Sequence, residues 1–131
     1  MGRRLAQRGV RPDLIMTSPA IRALQTASHY ADQLAYSRNR LLINPLQYAT
    51  TARQLITLLQ ETAPDVRTLL LVGHNPESTE LANMLGDLHI DNIPTSGIVA
   101  LTFVLPSWQE LAPGMGQQLF FDYPKKPVAA S

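Results

Sequence analysis

The sequence predicts an α/β fold, a mostly parallel sheet flanked by helices with an antiparallel hairpin near the C-terminus. Short apolar runs alternate with amphipathic helical patterns through most of the chain, which favours parallel strands joined by helices. The run Leu69–Val72 is apolar throughout and is typical of a strand buried on both faces. Two β-forming segments, 98–105 and 118–123, flank a turn at Gly114–Gly116 and predict the hairpin.

Capping residues, prolines and glycines predict where the helices and strands in the rest of the chain begin and end. Ser18 and Asn75 each precede a proline, a combination that predicts an N-cap followed by the first helical residue. Thr51 and Gln54 have the spacing of a capping box, and Gly9 and Gly86 are expected to end helices. The predicted helices are 2–8, 19–35, 51–62 and 76–85, and the earlier strands are 14–17, 41–43 and 68–72. The second helix is expected to bury Ile21, Leu24, Ala27, Ala31 and Leu34, which share one face.

Composition limits the class of protein. The length of 131 residues predicts one domain, placed at 1–123, followed by a flexible tail at 124–131. A net charge of +1 with scattered basic residues disfavours nucleic acid as a partner. The sequence has no cysteine, no membrane-length apolar run and no signal peptide, so a cytoplasmic location is expected. No grouping has metal-ligand spacing, and neither metal nor cofactor is predicted.

Two strand-to-helix corners carry side chains suited to an anion. Arg22 falls in the first turn of the helix after strand 14–17, and His74 follows the strand that ends at Val72. Ligands in open α/β sheets bind beyond the carboxyl ends of the strands, and helix N-termini there favour anions. A guanidinium grips a phosphate through two parallel hydrogen bonds. A solvated arginine and a turn-capping histidine are the plainer interpretations of the two residues taken singly.

These corners resemble motifs of the histidine phosphatase superfamily. The segment Thr17-Ser18-Pro19-Ala20-Ile21-Arg22-Ala23-Leu24-Gln25-Thr26 is similar to its S-P-x-x-R-x-x-Q-T motif, and Val72-Gly73-His74-Asn75-Pro76 to its second-histidine motif. In this form the motifs are most like the small bacterial phosphohistidine phosphatases of the SixA type. The segments Gly9–Ile15 and Pro94–Gly97 also resemble parts of that branch.

The resemblance implies a phosphoglycerate-mutase-like fold with a phosphate pocket at the carboxyl edge of the sheet. Arg22 would be a phosphate-gripping arginine, and His74 would donate to a phosphate oxygen as the second pocket histidine. A backbone N–H of Ser96 or Gly97 would also reach the phosphate, although a plain turn explains Gly97 equally well. The implied substrate is a phosphohistidine-containing protein, and the implied reaction is hydrolysis.

The chain departs from the family at its start. The family's first strand ends in Arg-His-Gly and carries the nucleophilic histidine in the middle of the sheet, whereas this sequence contains no Arg-His-Gly. We therefore expect a truncated chain without that strand, and a catalytically dead phosphate- or phosphoprotein-binding remnant is the alternative function. Unpaired neighbouring strands would re-pair, borrow a strand through self-association, or leave a marginal monomer.

A second departure concerns the general acid. Many relatives that cleave phosphate esters use a carboxylate near the middle of the chain, but the stretch 38–60 contains no Asp or Glu. An alkoxide leaving group needs a proton, whereas the imidazole of phosphohistidine leaves more readily. The composition of this stretch therefore favours a phosphohistidine substrate.

Overall fold

Helices and strands alternate along residues 1–124, the part of the chain that the computed structural model describes. The helices are α1 (Gly2–Gln7), α2 (Ile21–Gln33), α3 (Ala52–Gln60) and α4 (Glu77–Gly86). The strands are β1 (Leu14–Thr17), β2 (Leu42–Ile43), β3 (Leu69–Val72), β4 (Ile98–Thr102) and β5 (Gln117–Asp122). Short 3₁₀ turns lie at Arg38–Arg40, Pro45–Gln47 and Trp108–Glu110. The predicted flexible tail, apart from Pro124, lies outside the described residues.

Backbone pairing divides the described strands into two sheets. The first is parallel, in the order β2-β1-β3, and β1 pairs with β3 from Leu14↔Leu69 to Thr17↔Val72. The second is the antiparallel hairpin β4-β5, which has a bulge between Ala100 and Leu101. The predicted α/β architecture is confirmed, with one addition: within residues 1–124 the hairpin forms no ladder with the parallel sheet.

Two hydrophobic clusters cover opposite faces of the strands, because successive strand residues alternate between faces. The first cluster joins Ile15 and Val72 to side chains of α1 and α2. The second joins Met16 to side chains of α3 and α4. The fold therefore has three layers, with helices above and below the strands.

Helix α1 ties the hairpin to the rest of the fold. Arg4 Nη1 donates to Asp122 Oδ1 at 2.8 Å and to the carbonyl of Tyr123 at 2.9 Å. Arg8 lies over the ring of Phe120, with its guanidinium carbon 4.0 Å from the ring centroid, and its Nη2 is 3.6 Å from Asp122 Oδ2. A helix at one end of the sequence thus holds the last strand in place.

The segment between β4 and β5 covers the C-terminal end of α4. The N–H groups of Gly114 and Gly116 donate to the carbonyls of Met84 and Leu85 at 2.8 and 2.7 Å. These bonds satisfy carbonyls that a helix leaves without partners at its end. Gly86 is the last residue of α4, as predicted, and the left-handed residue that follows it is Asp87, with φ of 50°.

Helix α2 begins later than predicted, at Ile21, with Ala20 as its N-cap and no side-chain cap. Ser18 and Pro19 both precede the helix, and Ser18 Oγ accepts from the N–H of the N-cap Ala20 at 3.2 Å, not from an N–H of the first turn. The predicted apolar face is also partly wrong, since Ile21 is 73% exposed while Tyr30 is buried in its place. The buried face comprises Ala23, Ala27, Tyr30, Ala31 and the C-cap Leu34.

Candidate phosphate site

The carboxyl ends of β1 and β3 meet at one edge of the sheet because the two strands are parallel neighbours in register. Thr17 ends β1 opposite Val72, which ends β3. Ser18 and Gly73-His74 continue from those ends, so the two corners that the sequence singled out lie side by side. This is the edge at which open α/β sheets bind ligands.

A hydrogen bond joins the two corners. His74 Nε2 lies 2.8 Å from Ser18 Oγ, and Ser18 is fully buried while His74 is half-buried. Ser18 Oγ also accepts from the N–H of Ala20 at 3.2 Å. The hydroxyl therefore fixes the imidazole against the chain that leads into α2, and it shapes that turn at the same time.

Arg22 stands in the first turn of α2 and is exposed. Its guanidinium has no ion pair or hydrogen bond to any side chain or backbone group of residues 1–124. By contrast, Arg4 and Arg38 both pair with carboxylates. Arg22 thus keeps its donors available for an external anion, four residues after the serine that holds His74.

The N-terminus of α2 at this edge has no side-chain cap, whereas α3 has both bonds of a capping box between Thr51 and Gln54, and α4 has a side-chain bond from Asn75 to an N–H of its first turn. Uncapped N–H groups and the positive end of the helix dipole favour an anion. Glu77 and Glu80 lie in the first turn of α4, where their charge stabilises that helix.

Helix α4 begins at Glu77, one residue later than predicted, with Pro76 rather than Asn75 as its N-cap. Asn75 Oδ1 accepts from the N–H of Thr79, in the first turn of α4, at 3.3 Å and from Thr79 Oγ1 at 2.7 Å, and Asn75 Nδ2 donates to the carbonyl of Ile93 at 2.8 Å. Asn75 therefore braces the segment that leads into the turn Pro94–Gly97.

The turn Pro94–Gly97 contains the two other predicted phosphate contacts. The N–H of Gly97 donates to the carbonyl of Pro94 at 2.8 Å, so the turn itself uses this donor. A Cβ at position 97 would lie 2.8 Å from both Ile93 Cγ2 and the Pro94 oxygen, which accounts for the glycine by close packing. Ser96 is exposed with φ of 60°, a left-handed conformation that is uncommon for serine.

Two residues that the sequence did not single out as site residues complete the surroundings of His74. The ring of Tyr48 stands edge-on to His74, with 6.5 Å between ring centroids, and Tyr48 is 64% exposed at the rim. Gln47 is buried, and its Nε2 donates to the carbonyl of Val72 at 3.0 Å. Gln47 Oε1 has no partner among the described residues, which leaves an unfilled acceptor close to Gly73.

His29 and His89 are both exposed, and no contact among the described residues places either of them at this edge of the sheet. A surface groove of about 340 Å³ lies on the outer side of α2 and is lined in part by Ile21. Neither Arg22 nor His74 lines this groove.

In the described part of the chain, no group of three His, Cys, Asp or Glu side chains is arranged to hold a metal ion. No helix of residues 1–124 has both the length and the apolarity to cross a membrane.

Several solved structures share this architecture. The proteins provisionally assigned as the phosphohistidine phosphatase SixA from Nakamurella multipartitia and Agrobacterium tumefaciens superpose with TM-scores of 0.73 and 0.70, at 16% and 21% identity. They cover 95% and 94% of this chain, and 78% and 75% of their own. The protein histidine phosphatase SixA complexed with tungstate superposes with a TM-score of 0.67 at 21% identity, over 92% of this chain and 74% of its own. The chain therefore has the fold of the SixA phosphatases.

Closer relatives in sequence are the uncharacterized proteins MT1313 and Rv1276c from two strains of Mycobacterium tuberculosis, CDC 1551 / Oshkosh and ATCC 25618 / H37Rv. Each is 30% identical over 124 residues, in an alignment that covers 86% of this chain and 74% of the relative. The chain belongs to the same protein family as these mycobacterial proteins. No protein-family model matches it.

Proposed function

We propose that this chain provides the phosphate-binding site of a phosphohistidine phosphatase-like protein. The site comprises Arg22 as the phosphate clamp, His74 as a donor to a phosphate oxygen, and the N–H of Ser96 as a further contact, since the N–H of Gly97 already donates to the carbonyl of Pro94. The observation that carries the proposal is the 2.8 Å bond from Ser18 to His74, which joins the two motif corners at one sheet edge.

The guanidinium of Arg22, which has no partner among the described residues, supports the assignment, because an exposed arginine in the first turn of a helix without a side-chain cap is suited to a doubly charged oxyanion. The similar fold of a SixA protein complexed with tungstate, a tetrahedral oxyanion like phosphate, supports the same ligand class. The substrate we propose is phosphohistidine in a protein, because no carboxylate in the stretch 38–60 is available to protonate an alkoxide.

Hydrolysis would require a nucleophile in line with the phosphorus atom. The described contacts hold His74 against Ser18, and the 131 residues contain no Arg-His-Gly. We propose that turnover depends on a nucleophilic histidine supplied by a segment outside these 131 residues. The same observation favours a second candidate function, a non-catalytic phosphate- or phosphoprotein-binding protein that uses Arg22 and His74 alone.

The binding proposal is tested by calorimetric titration of the chain with tungstate and with inorganic phosphate. Arg22→Ala and His74→Ala are each expected to weaken binding at least about tenfold, equivalent to about 1.4 kcal/mol. Arg53→Ala is the matched control, since Arg53 is also an exposed helical arginine and has no ion pair within the described part of the chain. Equal affinities in all four proteins would contradict the site.

A phosphate-release assay distinguishes the two candidate functions. We expect the 131-residue chain to release no phosphate from phosphohistidine or p-nitrophenyl phosphate, because it lacks the nucleophile. Phosphate release is measured on pure protein, beside His74→Ala. Activity that persists on purification and disappears in His74→Ala would show that the site of this chain is catalytic by itself, which contradicts both the external nucleophile and the binding-only function.

A further inference from the structure

Ser18 and His74 share a short hydrogen bond, and the direction of that bond determines what His74 offers to a ligand. Ser18 Oγ and His74 Nε2 are 2.8 Å apart. Either the hydroxyl donates to an unprotonated Nε2, or a protonated Nε2 donates to the hydroxyl oxygen. In a neutral imidazole, the first arrangement leaves the ring proton on Nδ1 and the second places it on Nε2. The surroundings of Ser18 distinguish the two arrangements.

The hydroxyl of Ser18 has one proton to donate and two lone pairs to accept with. Ser18 Oγ accepts from the backbone N–H of Ala20 at 3.2 Å, and a backbone N–H can only donate. His74 Nε2 is the one other hydrogen-bond partner of this hydroxyl among the described residues. Ser18 is fully buried, so solvent provides no acceptor. If Nε2 were the donor, the hydroxyl proton would be buried without a partner, which is unfavourable.

We propose that Ser18 is a positioning residue that holds neutral His74 with its proton on Nδ1. Ser18 Oγ–H then donates to Nε2, and every polar atom of the serine side chain has a partner. His74 Nδ1 has no hydrogen-bond partner among the described residues, and His74 is half-buried, so a ligand at this sheet edge can accept from Nδ1–H. The inference rests on the proposed function only for the identity of that ligand, a phosphoryl group.

This tautomer limits the chemistry of His74. Attack on phosphorus requires a nitrogen lone pair in line with the phosphorus atom. The Nε2 lone pair accepts from Ser18 and Nδ1 carries the proton, so neither nitrogen is available for attack. His74 therefore donates to the phosphoryl group from Nδ1 and is not its nucleophile. Because the neutral ring adds no charge, the positive charge that these two corners offer to an anion comes from Arg22.

The test is ¹⁵N nuclear magnetic resonance of the histidine side chains in the whole chain. At about pH 8.5, where an ordinary histidine side chain is neutral, the spectrum shows which ring nitrogen carries the proton. His74 should have the Nδ1–H tautomer in at least about tenfold excess, equivalent to about 1.4 kcal/mol. His29 and His89 are internal controls, since both are exposed without a hydrogen bond to the described residues. Both should keep the Nε2–H tautomer that histidine favours in water.

Two variants test whether Ser18 is the cause. Ser18→Ala should return His74 to the tautomer of the controls, whereas Ser18→Thr, which keeps a hydroxyl, should retain the proton on Nδ1. A predominant Nε2–H tautomer of His74 in the unsubstituted chain would overturn the proposal, and that result does not depend on whether either variant folds. Retention of Nδ1–H in folded Ser18→Ala would overturn it as well, because another group would then fix the ring.

Tungstate tests the donor. At saturation it should shift the ¹⁵N signal of His74 Nδ1 and leave the proton on that nitrogen, with Nε2 still accepting from Ser18. Movement of the proton to Nε2 on binding, or an unchanged Nδ1 signal, would overturn donation from Nδ1. Calorimetry that shows no tungstate binding would instead contradict the proposed phosphate site, whereas the spectrum of the free chain decides the tautomer by itself.

Discussion

Ser18 lies directly after β1 with its side chain fully buried, and its Oγ takes part in two hydrogen bonds. One bond comes from the N–H of Ala20, and the other is shared with His74 Nε2. The imidazole therefore depends for its orientation on a residue of the neighbouring strand. Removing the hydroxyl leaves the polar atoms of a partly buried site without their partner, which costs stability as well as geometry.

Ser18→Ala should lower the free energy of unfolding by about 1 kcal/mol. It should also weaken tungstate binding by about three- to tenfold, since an unanchored His74 must be ordered when the anion binds. Urea unfolding and calorimetry provide the two values. Ser28→Ala, on α2 where the serine hydroxyl has no hydrogen bond to the described residues, should change neither. A loss of stability with unchanged affinity would mean that Ser18 has a structural role only.

Helix α1 is short, and its stability depends on contacts with the hairpin. Asp122 is buried, where it accepts from Arg4 and from the N–H of Tyr123 and lies near Arg8. Burial by itself would raise the pKa of the Asp122 carboxyl, but the Tyr123 N–H and the two arginines outweigh it and hold that pKa below its ordinary value of 3.8. The folded state therefore favours the ionised carboxylate.

Because the folded pKa of Asp122 is depressed, its contribution to stability is full above the unfolded pKa of about 3.9 and is lost as pH falls through the lower folded value. Asp122→Asn should reduce the free energy of unfolding by about 2 kcal/mol from pH 5 to pH 8. The difference in the free energy of unfolding between Asp122→Asn and the unsubstituted chain should shrink as the pH falls below about 4. Asp65→Asn, in an exposed turn where the carboxylate has no ion pair to residues 1–124, is the control for net charge. A difference that stays constant down to pH 2 would contradict this assignment.

At the scale of the whole molecule, side-chain packing joins two sheets that have no ladder between them in the described residues. Trp108, the single tryptophan, spans the same junction, since its Nε1 donates to the carbonyl of Val66 at 2.7 Å. Trp108 follows β4 in the chain and Val66 precedes β3. Its fluorescence therefore reports on the attachment of the hairpin segment to the parallel sheet.

Thermal unfolding followed by Trp108 fluorescence should coincide with unfolding followed by far-ultraviolet circular dichroism. The reason is that both clusters extend across both sheets, so that loss of one sheet exposes the core of the other. A fluorescence transition at lower temperature would show that the hairpin detaches first. The prediction of a single cooperative unit would then be wrong.

The strands and the hairpin were predictable because their signals are local. Apolar runs, β-forming residues and glycine turns predict each strand to within a few residues, and the capping box of Thr51 and Gln54 has both of its bonds in the structure. The placement of Arg22 and His74 at neighbouring strand ends also follows from pattern, since parallel strands end at a common edge. Their role as phosphate ligands remains a prediction.

The features that the sequence did not predict correctly depend on contacts between segments that are distant in the chain, and local sequence patterns do not specify such contacts. Ser18 has the sequence of an N-cap, yet α2 begins at Ile21, and the Ser18 hydroxyl bonds to the N–H of Ala20 and to His74, 56 residues away. Ile21 then lies at the exposed first turn, and Tyr30 fills the buried face. Likewise, the β propensity of β3 and of β4 does not indicate that these two strands form no ladder with each other in residues 1–124.

The segment between β4 and β5, which covers the end of α4, contains two glycines that are constrained for different reasons. The two positions should therefore tolerate different substitutions in evolution. Gly114 has φ of 79° and nothing within 4 Å of the place a Cβ would take, so the constraint is conformational and asparagine is an acceptable replacement. A Cβ on Gly116 would lie 2.9 Å from both the Leu85 oxygen and the ring of Phe103, so any side chain would displace the segment from the helix. Among descendants of this sequence, position 114 should drift between glycine and asparagine, while position 116 stays glycine.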